Sequence, residues 1–291
     1  HEPIISKSAE THLLRCIKSN YVSSFGEYLS KFEDKLKDIT GSKYIVLTNS
    51  GTAALFISLK QLEVEKCEVL TPSMTFAATS NAIVYNDAIP HYIDSMRSNP
   101  CIDVDKLALY LCEICTMKEN VCYNKISKRR IKALIVVHAF GYTAEMSKLI
   151  KLCNKYNIKI LEDAAGALGS YYKNKHVGTF SDFGILSFNG NKIVTTGMGG
   201  AILMKKHKDY KMVKHLISTA RLEHPYEIEH DKVGYNLRMS NINAALGYSQ
   251  LLSFETTLKK KKILCEKYIS NISKTELCNF IIENNSSKQN N

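Results

Sequence analysis

Three short stretches of the chain gather reactive or ligand-holding side chains. In Asn49-Ser50-Gly51-Thr52-Ala53-Ala54-Leu55 an apolar run gives way to small residues and then to a helix-forming stretch. Backbone N–H groups at a helix start attract anions, and Ser and Thr hydroxyls add donors, so this turn suits a phosphate. The same residues also make an ordinary helix cap. The turn is not a P-loop, since no Gly-Lys-Ser/Thr follows, nor is it a Gly-x-Gly-x-x-Gly dinucleotide fingerprint. In Leu161-Glu162-Asp163-Ala164-Ala165 two carboxylates end an apolar strand. Burying them is unfavourable without partners. They either cap a helix or face a cationic ligand atom, of which a pyridinium nitrogen is one. In Ser187-Phe188-Asn189-Gly190-Asn191-Lys192, running on to Thr195-Thr196-Gly197-Met198-Gly199-Gly200, one lysine stands between a strand and a glycine-rich turn with no other charge beside it. Partial desolvation lowers the pKa of a lysine and makes it a nucleophilic amine.

The elements that must hold these stretches alternate. Helical spacing of Phe32, Leu36 and Ile39 predicts a helix up to about residue 40. Strands are expected over 44–47, 68–70, 90–93, 133–137, 158–161, 183–187 and 201–204, with helices over 53–61, 76–84 and 146–156. Short apolar strands alternating with helices predict an α/β fold, a mostly parallel sheet flanked by helices on both faces. Ligands bind such sheets beyond the carboxyl ends of the strands, which is where the three stretches fall. Residues 98–132 read as a crossover helix with an exposed excursion, and the chain beyond Lys205 reads as helical. After Cys278 it turns polar and is expected to fray. The domain reading is an N-terminal helical segment over 1–40, a large α/β domain over 41–250, and the start of a shortened C-terminal domain with a polar tail over 251–291.

With 45% apolar and 23% charged residues in 291, the chain is too apolar to be intrinsically disordered. No apolar run reaches the roughly 18 residues that a membrane helix needs. Nine scattered cysteines with no visible secretory signal point to reduced thiols and a cytoplasmic location. The net charge of +11 comes mostly from lysine. Its dense runs read as solvated helix faces, and no aromatic interleaving or known module supports nucleic-acid binding. The charge does suit an anionic substrate. Cys101, Cys112, Cys115 and Cys122 include one C-x₂-C pair, which admits a structural zinc site despite irregular outer spacing.

A phosphate cradle, a carboxylate facing a pyridinium and a Schiff-base lysine are together what pyridoxal phosphate requires of a protein. In order and spacing these stretches resemble the DegT/DnrJ/EryC1/StrS family of pyridoxal-phosphate sugar aminotransferases. The likeness covers about residues 1–254 and takes in Val22-Ser23-Ser24-Phe25-Gly26, Phe32-Glu33, Thr75-Phe76-Ala77-Ala78-Thr79-Ser80-Asn81-Ala82, His138-Ala139-Phe140-Gly141, Gly178-Thr179-Phe180 and Gly234-Tyr235-Asn236-Leu237-Arg238-Met239. Within the family the chain looks most like the branch serving legionaminic-acid-type nonulosonate synthesis, on His1-Glu2-Pro3, Arg129-Arg130-Ile131-Lys132 and the Lys192 stretch.

The resemblance implies the fold-type-I aminotransferase architecture and a reaction that moves an amino group from glutamate to a nucleotide-linked 4-keto-6-deoxy sugar. Lys192 would hold the cofactor and shuttle the proton, and Asp163 would pair with the ring nitrogen. Phe76 would stack on the ring, with Gly51, Thr52 and Ser187 on the phosphate. Asn236 would reach that phosphate from the partner subunit of a homodimer with shared sites. Tyr235 and Arg238 belong to the same motif without a definite role. No catalytic metal, membrane or nucleic acid is implied. Two departures stand out. Gly166 takes the place where the family commonly has Gln or His near the ring oxygen. The chain also stops where members usually continue for about 80–100 residues, so the small C-terminal domain is expected to be truncated. That raises an alternative: an inactive paralogue that keeps the fold and acts as a binding protein.

Overall fold

The computed structural model describes residues 3–272, 281, 287 and 288. Two amphipathic helices open it, α1 (Lys7–Ser19) and α2 (Glu27–Thr40). Next come β1 (Tyr44–Thr48), α3 (Gly51–Gln61), β2 (Glu68–Pro72), α4 (Ala77–Val84), β3 (Ile89–Ile93) and α5 (Val104–Ile114). A hairpin of β4 (Cys115–Lys118) and β5 (Val121–Asn124) precedes β6 (Ile131–Val137), α6 (Met146–Lys155) and β7 (Lys159–Asp163). The two-residue strands β8 (Tyr171–Tyr172) and β9 (Lys175–His176) lead to β10 (Phe183–Ser187), β11 (Gly200–Met204) and α7 (His207–Ile217). The helices α8 (Asn241–Leu251) and α9 (Phe254–Ile272) follow, and β12 (Ser287–Lys288) pairs with β8. The expected frayed tail after Cys278 lies almost wholly outside the described residues.

Seven strands form one sheet in the order β1-β11-β10-β7-β6-β2-β3. Strands β3, β2, β6, β7 and β10 run parallel, and β11 is antiparallel to both its neighbours, β10 and β1. The mostly parallel sheet under two helical layers is thus what forms. Successive strand residues point to opposite faces. Leu134 and Val136 of β6 join the core beneath α1, α2, α5, α6 and α8, while Ala133, Ile135 and Val137 join the one beneath α3, α4 and α7. Burial on both faces is why β6 is apolar without a break from Ala133 to Val137. Because the strands share a direction, Thr48, Asp163 and Ser187 end on one edge, and β11 starts there at Gly200. No helix among the described residues is long and apolar enough to cross a membrane.

One expectation is overturned. The chain beyond Lys205 is helical only to Ile217; residues 218–240 form an irregular excursion before α8. Thr219 and Ala220 take positive φ values of 65° and 52° and break α7. The segment then pairs with itself through an Arg221–His230 bridge. Pro225 at its tip lacks the N–H that a helix interior uses.

Glu33 of α2 is packed inward, and burial pushes its carboxyl up to about 7, although Lys37, Lys214 and the Leu47 N–H pull it back down. A folded value above the unfolded one means that the native state holds the proton more tightly. The contribution of Glu33 to stability is therefore greatest at low pH and falls as pH rises from about 4.5 to 7. Glu33→Gln is expected to leave the melting temperature unchanged near pH 4. At pH 8 it should raise stability by up to about 3 kcal/mol, from about 1.4 kcal/mol per pKa unit. Melting curves across pH that shift in parallel for both proteins would refute this.

Candidate active site

The anion-binding turn is built as its residues demand. The side chain of Ser50 caps α3 by accepting from the Ala53 N–H at 3.0 Å. The Gly51 and Thr52 N–H groups, the first of the helix, then have no acceptor within it. Gly51 is required by packing: a Cβ there would sit 2.9 Å from Ser187 Cβ and 3.1 Å from its Oγ. Gly200 closes the other side, where a Cβ would meet Ser50 O at 2.5 Å and Gly51 N at 2.6 Å. So Gly51, Thr52 and Ser187, far apart in sequence, form one small cradle at the edge of the sheet.

Asp163 ends β7 and is 5% exposed. Its Oδ2 accepts from Thr79 Oγ1 at 2.9 Å and its Oδ1 from the Ala165 N–H at 3.1 Å. Burial raises its carboxyl above the usual aspartate range, while Thr79, the Ala165 N–H and the charge of Lys192 partly offset that rise. Thr79 lies one turn into α4, and Phe76, at the N-cap of the same helix, is 80% exposed. The Thr79–Asp163 bond ties α4 to the end of β7, and Phe76 opens the same helix.

Lys192 is half-buried on the loop from β10 to β11. That loop is clamped by Phe188 N–H to Gly199 O at 2.9 Å, Thr196 N–H to Phe188 O at 2.9 Å and Lys192 N–H to Asn189 O at 3.0 Å. The Phe188 ring packs on Phe32 of α2 with centroids 5.0 Å apart, edge to face. An N-terminal helix therefore helps to fix the lysine loop.

Asn236 is placed differently. Its side chain is exposed, and its backbone bridges Ser218. The contacts of its own chain do not tie it to the cradle. Next to it, Tyr235 packs edge to face on Phe56 of α3 at 5.0 Å, which anchors the excursion. Leu237 O accepts from Asn49 N–H at 2.8 Å, and Arg238 bridges Thr48. Arg238 Nε is buried with no hydrogen-bond partner among the described residues. At Gly166 a Cβ would find its nearest neighbours, Gly141 N and Phe140 N, 4.0 Å away, so sterics do not demand glycine there.

The second carboxylate of the acidic pair does structural work. Glu162 is wholly buried; its Oε1 accepts from Phe180 N–H, Ser181 N–H and Ser181 Oγ at 2.8, 2.7 and 2.8 Å, and its Oε2 from Gly178 N–H at 2.7 Å. His138 Nδ1 accepts from Ala144 N–H at 3.3 Å, which leaves Nε2 to donate to Glu162 Oε2 at 3.2 Å. His138 is thus a satisfied interior residue. Zinc is not supported either: among the described residues no three His, Cys, Asp or Glu side chains are placed to hold a metal. Cys112 is exposed on α5, and Cys101 points to Tyr142 O at 3.6 Å.

The Gly51–Ser187 contact, the buried Asp163 and the Lys192 loop lie on one edge of this sheet, and the fold is that of the fold-type-I pyridoxal-phosphate aminotransferases. Residues 3–290 match the DegT/DnrJ/EryC1/StrS aminotransferase family, and the chain belongs to it. The GDP-perosamine synthase of Escherichia coli O157:H7 is 32% identical over 94% of this chain and 71% of its own length. A UDP-4-amino-4,6-dideoxy-N-acetyl-beta-L-altrosamine transaminase of Campylobacter jejuni serotype O:2 is 32% identical over 92% of this chain and 67% of its own. Among solved structures, Helicobacter pylori PseC, an aminotransferase involved in the biosynthesis of pseudoaminic acid, superposes with a TM-score of 0.81 at 27% identity. It covers 92% of this chain, which spans 69% of it. The Streptococcus pneumoniae protein Spr1654 in its PLP form shares the fold, with a TM-score of 0.87 at 24% identity over 99% of this chain and 75% of that one. The chain thus spans about two thirds to three quarters of the length of these relatives. Enzymes of this family use pyridoxal phosphate, and the cradle at Gly51 and Ser187 beside a buried carboxylate fits it.

Proposed function

We propose that this chain transfers an amino group from glutamate to a nucleotide-linked 4-keto-6-deoxy sugar. The observation that carries this reading is the convergence of the Gly51–Ser187 cradle, buried Asp163 and Lys192 at one strand edge. When bound, pyridoxal phosphate supplies an electron sink for the substrate carbon. The Gly51 and Thr52 N–H groups and the Ser187 hydroxyl hold its phosphate. Asp163, kept in place by Thr79 and the Ala165 N–H, pairs with the ring nitrogen, and Phe76 covers the ring face. Lys192 holds the cofactor and moves the proton at the reacting carbon. The exposed Asn236 serves the cradle of a second copy in a homodimer. Arg238, with an unpartnered guanidinium nitrogen, is available to an anionic group of a ligand. The sugar-nucleotide names of the perosamine and altrosamine relatives support a nucleotide-sugar acceptor, of the legionaminic-acid type on the sequence likeness. The net charge of +11 attracts such a diphosphate.

The test is release of 2-oxoglutarate from glutamate by the chain loaded with pyridoxal phosphate, followed by amination of UDP- and GDP-linked 4-keto-6-deoxy sugars. Asp163→Asn keeps the fold, because the amide oxygen still accepts from Ala165 N–H and the Thr79 hydroxyl can turn to accept. It is expected to slow release by on the order of 10²–10³-fold through lost electrostatic stabilisation. Cofactor binding by the wild type without any 2-oxoglutarate would instead indicate the non-catalytic binding protein.

A further inference from the structure

The hairpin of β4 and β5 lies outside the site and carries chemistry that the transfer reaction does not use. Cys115 and Cys122 sit on diagonal positions of the ladder, since Cys115 pairs with Asn124 and Met117 with Cys122. Their sulfurs are 3.0 Å apart, and both thiols are free. Cys115 is 8% exposed and Cys122 1%. The neighbouring C-x₂-C partner, Cys112, is on the exposed side of α5 and takes no part. A disulfide needs about 2.05 Å between sulfurs, so small rotations of the two side chains suffice to close one.

The hairpin is also tied to the sheet. Asn124 Nδ2 at the end of β5 and the Ser127 hydroxyl in the loop that follows donate to the buried carboxylate of Glu68 at the start of β2. His91 Nδ1 bonds the same carboxylate at 2.8 Å, and His91 Nε2 bonds Tyr110 OH of α5 at 2.8 Å. Both ends of the hairpin are thereby held, which keeps the two sulfurs facing each other.

We propose that Cys115 and Cys122 are a disulfide-forming pair, an oxidation site whose oxidant is a low-molecular-weight disulfide. One thiol of the pair loses its proton and attacks one sulfur of the oxidant. This forms a mixed disulfide and releases one thiol. The other thiol, deprotonated in turn, attacks the protein sulfur of that mixed disulfide and releases the second thiol. Two protein thiols are oxidised, one small disulfide is reduced to two thiols, and both protons leave with them. The product staples the hairpin that connects α5 to β6.

The experiment incubates the folded protein with oxidised glutathione, blocks remaining thiols with N-ethylmaleimide in denaturant and maps tryptic peptides by mass. Cleavage after Lys106, Lys118 and Lys125 puts Cys112 and Cys115 on one peptide and Cys122 on another. The expected result is a link between these peptides, two fewer maleimide adducts per chain, and recovery of both on reduction. The link should persist in Cys112→Ser and vanish in Cys115→Ser. Full alkylation of Cys122 after oxidation, a stable glutathione adduct in place of the link, or a link lost in Cys112→Ser would each overturn the proposal. Mapping of the wild type decides the matter even where a variant folds poorly.

Discussion

Lys192→Ala is expected to abolish amino transfer while leaving the melting temperature within about 1 °C of the wild type. Loss of a positioned proton-transfer group alone accounts for about 10²–10⁴-fold, and loss of the amine that holds the cofactor adds to it. The fold should not suffer, because among the described residues the Lys192 side chain makes no hydrogen bond or ion pair; its backbone clamps the loop. Its charge does help keep Asp163 ionised, so the alanine variant pushes that carboxyl further up. Lys192→Arg separates the two effects. It restores the positive charge, but guanidinium stays protonated above pH 12 and is no nucleophile. Both variants should be inactive. After pyridoxal phosphate and borohydride, the wild type alone should gain the mass of one cofactor on the Lys192 peptide. A visible absorption band identical in the wild type and both variants would reject Lys192 as the attachment point.

The residues that chemistry restricts were readable in the sequence. A lone lysine beside a glycine-rich turn and a small-residue helix start have few other uses, and both stand where the strand pattern placed them. The acidic pair was readable only in part. Adjacent strand residues face opposite sides, so only one of Glu162 and Asp163 could reach the site; the other had to find its partners in the interior. Thr79 gave no signal of its own, since a threonine in the first turns of a helix reads as helix. Its bond to Asp163 joins two elements far apart in sequence, α4 and the end of β7. The hairpins were hidden by unusual turn chemistry. Glu119-Asn120 and Lys173-Asn174 both take positive φ, the primed-turn geometry, without the glycine that normally announces it. The excursion over 218–240 gives no signal of its own, because Lys-rich helix formers precede it and it is held by isolated bridges, Ser218 to Asn236, Arg221 to His230 and Arg238 to distant Thr48.

Glu162 explains why the edge stays rigid, and its replacement is expected to be the most destabilising single change near the site. Five donors converge on its two oxygens, from Gly178, Phe180, Ser181 (backbone and hydroxyl) and His138. Burial alone would raise the carboxyl, but the bonds from His138, Gly178 and Ser181 outweigh it and hold it below the usual glutamate range. A depressed folded value adds stability above the unfolded pKa, and that stability is lost as pH falls through the folded one. In Glu162→Gln the amide oxygen can still serve one set of donors. Its NH₂ then faces the Gly178 N–H and the His138 Nε2–H, donor against donor. His138 cannot simply change tautomer, because its Nδ1 already accepts from Ala144 N–H. Each buried donor left unsatisfied costs about 1–3 kcal/mol, and more where the acceptor it loses was charged. For a chain of this size the melting temperature should fall by on the order of 10 °C. The variant should also lose the acid-side pH dependence that Glu162 contributes. Because the 178–181 turn that it pins lies against the strand ending in Asp163, cofactor affinity should weaken along with stability, whereas Lys192→Ala leaves stability alone. A thermal scan in which Glu162→Gln melts with the wild type would show that these bonds carry no net weight.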